Sequence, residues 1–173
     1  MRFLNVFYCI ICLVTLSCSN NENQELKDLQ IRLNSLEDIF NKIELSSYND
    51  ACDGFSENLK LIKNCNDSVS KQFVSLINQY KVIKKTKDIF ILEYKMLSKN
   101  FQLEKAQLKA LKKDLENKLI PKDSIKFYLN KEEKNIMVIS DEINNVSTIY
   151  NEIISVHESL YSKIKELANN NCS

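Results

Sequence analysis

The chain has 173 residues, 44% of them hydrophobic and 27% charged, with one Gly, one Pro and one His. So little Gly and Pro cannot supply the turns of a many-stranded sandwich or barrel, nor a glycine loop that cradles phosphate. Formal charge is +1 and falls to zero once the first seventeen residues, with Arg2 their only charge, are set aside; nothing there favours a nucleic-acid partner.

Met1-Arg2 forms a short positive start, and Phe3 to Leu16 is apolar apart from Asn5 and Thr15. Ser17-Cys18 follows, then a polar run from Ser19 to Gln24. A charged start, an apolar stretch too short to span a bilayer comfortably and a small residue at its end predict a signal peptide over residues 1–17. Leu16-Ser17-Cys18 resembles the lipobox of bacterial lipoproteins, with Thr15 where that pattern prefers Leu. With the Asn-, Lys- and Ile-rich body, the segment looks most like lipoproteins of Bacteroidetes, those of spirochaetes second. The resemblance covers this segment alone. It implies cleavage before Cys18, acylation of its thiol by palmitate-type chains, and a lipid anchor in the cell envelope at the outer membrane. Each buried methylene contributes about 0.8 kcal/mol, so two or more chains hold where one would exchange. Residues 18–24 then read as a flexible tether. An ordinary secreted chain, cut elsewhere, is the alternative. Cys9-Ile10-Ile11-Cys12 has redox or metal spacing, but it lies inside the segment expected to be removed and is assigned no function.

Beyond residue 24 the hydrophobic period predicts an all-α protein of three helices, short, long and long. Leu26, Leu29, Leu33, Leu36, Phe40 and Ile43 alternate steps of 3 and 4, the seam of a coiled coil, and place helix one at about 25–45. Ser46-Ser47-Tyr48-Asn49-Asp50 reads as a turn. Phe55, Leu59, Ile62, Asn66, Val69, Phe73 and onward to Leu115 keep the alternation, with Asn66, Lys87 and Glu104 the polar exceptions. Helix two is placed at 55–119, about 95 Å if straight, and its start could reach back to Ser47 across Gly54. Pro121 ends it, with Asp123 the expected N-cap of helix three at 123–169. That seam runs from Ile125 to Leu167 and holds Glu132 and His157; residues 170–173 form a frayed tail.

The short break at Pro121 makes helices two and three antiparallel neighbours. Counting back from it, helix three covers helix two only to about residue 75, and helix one has the length to cover 55–75. The expectation is an elongated antiparallel coiled-coil rod; a compact three-helix bundle would need a bend in helix two, where no Pro or Gly offers one. Ile89, Ile91, Leu92, Leu103, Met137, Val138, Ile149, Ile154 and Val156 flank the seams. They either widen the contact inside the chain or serve a protein partner or self-association.

Convergent catalytic groups are not legible, and the chain is not expected to be an enzyme, to carry a cofactor or metal, or to take a small-molecule substrate. His157 should face helix two near Lys87 and Asp88, and Asn66, Lys87, Glu104, Glu132 and His157 are read as polar seam residues that fix register. Glu104 and Glu132 could lie close enough to titrate unusually or bind a cation, but are expected to be exposed or paired with Lys. Ten Lys against five acids between Lys84 and Lys118 read as a solvated face rather than a glycan- or lipid-binding stripe. Asp67-Ser68-Val69 and Asp123-Ser124-Ile125 resemble the short O-glycosylation pattern of exported Bacteroidetes proteins.

Besides Cys18, the exported chain keeps Cys52, Cys65 and Cys172, where disulfides persist. Thirteen residues of helix would hold Cys52 and Cys65 roughly 20 Å apart, too far to bridge. The antiparallel return brings Cys172 near residue 70, so the expected bridge is Cys65–Cys172. The expected function is that of a lipid-anchored envelope coiled coil that binds or scaffolds a partner; a surface adhesin that engages a host ligand is the alternative.

Overall fold

The computed structural model describes the backbone of residues 2–63 and 70–171 and the side chains of 21–63 and 70–170. Every regular element among the described residues is helical: α1 Arg2–Phe40, α2 Leu45–Lys63, α3 Lys71–Tyr80, α4 Val82–Glu116 and α5 Lys122–Asn171. None of their helices is long and apolar enough to cross a membrane. Asn21 to Gln24, expected in a flexible tether, belong to α1, and Gln24 Nε2 donates to Asp28 Oδ1 at 2.8 Å one turn on.

The helices divide between two compact units. The first takes residues up to Asp38 together with Ser98–Asp141; the second takes Ile39–Leu97 and Glu142–Ser173. In the first unit the seams meet as their period requires. Leu26, Leu29 and Leu33 of α1, Phe101, Leu108 and Leu111 of α4, and Ile125, Leu129, Ile136 and Ile139 of α5 are all buried. Arg32 pairs with Glu133 at 3.2 Å, and Lys105 with Glu37. These contacts correct the position expected for helix one. Expected against 55–75, it lies in this unit against the chain on either side of the Pro121 turn.

That turn explains itself from local chemistry. Lys118 takes a positive φ of 56°, Leu119 N–H reaches back to Asp114 O at 2.9 Å, and Lys118 N–H donates to Leu115 O at 3.1 Å. The left-handed residue after the helix lets the chain recover carbonyls that would otherwise lack donors. Pro121 then precedes α5, its carbonyl accepting from Ser124 N–H at 2.9 Å. Asp123, expected as the N-cap, sits instead in the first turn, where a carboxylate also suits the helix dipole.

In the second unit the long helix expected over 55–119 is folded back on itself. α2 starts at Leu45, ends at Lys63, and α3 restarts at Lys71 with Ser70 as its N-cap, the Ser70 hydroxyl accepting from Phe73 N–H at 3.1 Å. The rings of Tyr48 and Phe90 lie 4.5 Å apart and those of Phe55 and Tyr80 5.1 Å apart, so α2 runs antiparallel to α3 and the start of α4. A second, one-residue interruption falls at Lys81, across which Lys81 N–H still donates to Ile77 O at 3.0 Å. α5 closes the unit antiparallel to α4: Asn145 Nδ2 donates to Glu93 Oε2 at 2.7 Å, and Tyr150 faces Phe90.

Ser46 and Ser47, read as turn residues, occupy the first turn of α2, where small hydroxyls are well tolerated. The break between α1 and α2 falls earlier, where Lys42 and Ile43 N–H groups close tight turns onto Ile39 and Phe40 carbonyls. The buried stripe of α2 is Tyr48, Ala51, Phe55 and Asn58; Leu59 and Ile62, placed on the seam by the period, and Cys52, placed there with Tyr48 by its backward extension, are half-buried.

Candidate functional site

Two layers of buried polar groups interrupt the apolar core, one in each unit. In the first unit, Glu104 on α4 and Glu132 on α5 take seam positions between large apolar residues, Phe101 and Leu108 on one helix and Leu129 and Ile136 on the other. The antiparallel pairing brings them together. They are 4% and 6% exposed, which corrects the expectation that they would be solvated or paired with Lys. No Lys or Arg among the described residues forms a salt bridge with either; Lys105 and Arg32, one position away in the sequence or opposite, are engaged by Glu37 and Glu133. Asn135 Nδ2 donates to Glu132 Oε2 at 3.0 Å, and the Gln107 amide stands 3.2 Å from Oε2 of both carboxylates.

Burial, with the Glu132 carboxyl beside it, pushes the Glu104 carboxyl up to about 7. Two like charges sharing one site cannot both ionise cheaply, so Glu104 holds its proton well above the usual carboxylate range. A groove of about 220 Å³, lined by Asn100, Leu103, Gln107, Asn135, Val138 and Ile139, leads to Glu104 from the surface.

The second unit carries the other layer. His157 Nδ1 lies 3.3 Å from Tyr80 Oη, and the Tyr161 ring stacks on the imidazole at 4.9 Å. His157 therefore faces Tyr80 and Gly54 rather than Lys87 and Asp88. Burial holds the imidazole below its ordinary value and the Tyr80 phenol above its own. Asn58, fully buried, donates from Nδ2 to Tyr161 O at 2.9 Å while its Oδ1 has no partner. At the rim, Glu57 accepts from Tyr161 Oη at 2.8 Å and from Lys165 Nζ at 2.9 Å. Lys87 is half-buried, and its carbonyl accepts from Tyr48 Oη at 2.9 Å. Asn66, Cys65 and Cys172 lie outside the described residues, as does the side chain of Cys18. Cys52 carries no disulfide.

Gly54, Asn58, Tyr80, Gln107 and Asn135 complete these layers and were not singled out as site residues from the sequence. Gly54 offered a signal, being the only glycine of the chain and sitting within a helical period. A Cβ there would stand 2.6 Å from His157 Cε1 and 3.1 Å from the Tyr161 ring, so α2 can approach α5 only at a glycine. Gly54→Ala sets a gain of about 1 kcal/mol in helix propensity against an overpacking cost of about 1–3 kcal/mol. In the wild-type background we expect it to be destabilising. In a His157→Ala background, where the ring is gone, the same change should become neutral or stabilising. Urea denaturation of the four chains of this cycle measures the coupling; equal effects in both backgrounds would mean that the imidazole is not what Gly54 makes room for.

No metal-ligating group of three or more His, Cys, Asp or Glu side chains occurs among the described residues. The fold and the two layers define the class: an all-α helical bundle with polar residues buried in its seams. Comparison with known proteins finds no family model that matches the chain, and no curated protein or solved structure that matches it.

Proposed function

We propose that the chain is a lipid-anchored cell-envelope protein whose helical units act as a binding or scaffolding module for a protein partner or for a second copy of itself. Leu16-Ser17-Cys18 behind a short apolar stretch is the observation that carries the anchor. Of the apolar residues that flank the seams, Ile91, Ile149, Ile154 and Val156 are half-buried and widen the core contact. Ile89, Leu92, Leu103, Met137 and Val138 are instead 50–60% exposed, and Met96 at 54% extends the Ile89–Leu92 stripe along α4. Such stripes at helical spacing favour a docking role over a merely broad core.

Fractionation of expressing cells tests the anchor. The wild-type chain should stay in the membrane pellet through high-salt and alkaline carbonate washes, and Cys18→Ala should move to the soluble fraction. A wild-type chain released by salt would be held by charge or by a partner, against this reading.

A further inference from the structure

One face of the second unit is apolar at helical spacing and uncovered among the described residues. Ile89, Leu92 and Met96 follow one another on α4 at steps of 3 and 4, and each is 50–60% exposed. α2 takes another side of α4, with the Tyr48 ring on Phe90 and the Tyr48 hydroxyl on the Lys87 carbonyl. Beside the stripe, α4 and α5 form a cleft of about 200 Å³ lined by Glu93, Met96, Glu142, Asn145 and Val146. Half-buried Ile149, one turn on from Asn145, extends its apolar floor along α5. An apolar stripe beside an open cleft suits a helix laid along the face.

The charges beside the stripe say which helix. From Val82 to Leu97, Lys84, Lys85, Lys87 and Lys95 of α4 outnumber Asp88 and Glu93. From Glu142 to Ser162, α5 carries Glu142, Glu152 and Glu158 and no Lys or Arg. Lys85, Lys95 and Glu152 are exposed and form no salt bridge among the described residues. The face thus has a basic wall and an acidic wall on either side of an apolar floor. Such a surface complements itself, because an isologous pair sets each wall on its counterpart twice over. A second copy turned about an axis across the helices would lay α4 on α4 and lysine on lysine. Turned about an axis along them, it lays α4 on α5, antiparallel, as in a four-helix bundle.

We propose that two copies of the chain pair through this face, with α4 of each lying along α5 of the other. The rotation keeps every residue at its own height, so the register inside one copy carries over. Asn145 donates to Glu93 at 2.7 Å and Tyr150 faces Phe90. Lys85 therefore comes level with Glu152 of the second copy, and Lys95 with Glu142, to within about one turn. The inference rests on the binding role proposed above and names its occupant; it does not depend on the anchor.

Sedimentation equilibrium of the full chain in density-matched detergent tests it. The wild type should weigh as a dimer at about 100 μM and dissociate towards monomer near about 1 μM, since a patch this small supports micromolar association. Leu92→Asp, at an exposed position, should be monomeric throughout with its helix content unchanged by circular dichroism. Lys85→Glu should weaken pairing about tenfold, and adding Glu152→Lys should restore it. Cys18→Ala should pair like the wild type, and the fractionation above reads the anchor separately, so each idea can fail alone. A wild-type monomer at about 100 μM would overturn the pairing. A dimer indifferent to Leu92→Asp, or one lost in Cys18→Ala, would overturn it by placing the contact elsewhere. A double variant no better than Lys85→Glu would overturn the setting of α4 on α5.

Discussion

Phe90→Ala should cost the chain about 3–5 kcal/mol, enough to remove a third or more of the stability of a typical domain. Phe90 is fully buried at the point where three elements of the second unit meet. Its ring packs on Tyr48 at 4.5 Å, on Tyr94 at 5.8 Å and on Tyr150 at 6.0 Å. Truncation leaves a cavity bounded by aromatic rings on α2, α4 and α5, which cannot all collapse into it. Leu92, two positions on, is 60% exposed, and Leu92→Ala should change stability by no more than about 0.5 kcal/mol. Urea denaturation of both variants measures the contrast. Similar losses would mean that the α4 seam does not run through Phe90 as described.

Glu104→Gln should stabilise the chain at pH 8 and leave it nearly unchanged at pH 4.5. In the folded chain Glu104 holds its proton up to about pH 7, whereas an unfolded glutamate releases it near 4.5. Between those values the folded state binds more protons than the unfolded state. The contribution of this group is therefore fully present below the unfolded value and is lost as pH rises through the folded one. The loss is on the order of 2–3 kcal/mol. Glutamine keeps the shape of the protonated carboxyl and removes the charge, so the variant should escape the loss. His157 works in the opposite sense: its lowered value makes the fold lose stability as pH falls below the ordinary imidazole range. Reading the difference between wild type and Glu104→Gln across pH cancels that second effect. A difference that stays flat from pH 4.5 to 8 would contradict a proton held on Glu104.

The seam was legible wherever a helix packs along its whole length. Phe73, Leu76, Tyr80, Ile83, Phe90, Leu97, Phe101 and Leu108 fall on the period read from the sequence, and all are buried. The same is true of the α5 seam from Ile125 to Ile164 except at half-buried Tyr150 and His157, because the Pro121 turn fixes its direction against α4. The fold-back between α2 and α3 was not legible, for a physical reason. Ile62, Asn66, Val69 and Phe73 keep the 4 and 3 alternation across it, so period alone reads two antiparallel arms as one helix. The signal among the described residues was Ser70, the cap that restarts the chain as α3.

The same reasoning explains the site. Glu104 and Glu132 could be named from their seam positions, but their proximity depends on the α4–α5 register that follows from the Pro121 turn. His157 was named but given the wrong partners, because Gly54 draws α2 into the space where Lys87 and Asp88 were expected. A lone glycine in a helical period marks close approach of another helix, and here it locates the second polar layer.

The anchor is the centre of the functional reading, and intact-mass analysis of the mature chain tests it most directly. Protein purified from cell membranes should begin at Cys18, and its N-terminal peptide should carry the added mass of two or three acyl chains on that cysteine. A mature chain that begins elsewhere, or a Cys18 peptide of unmodified mass, would contradict lipid anchoring.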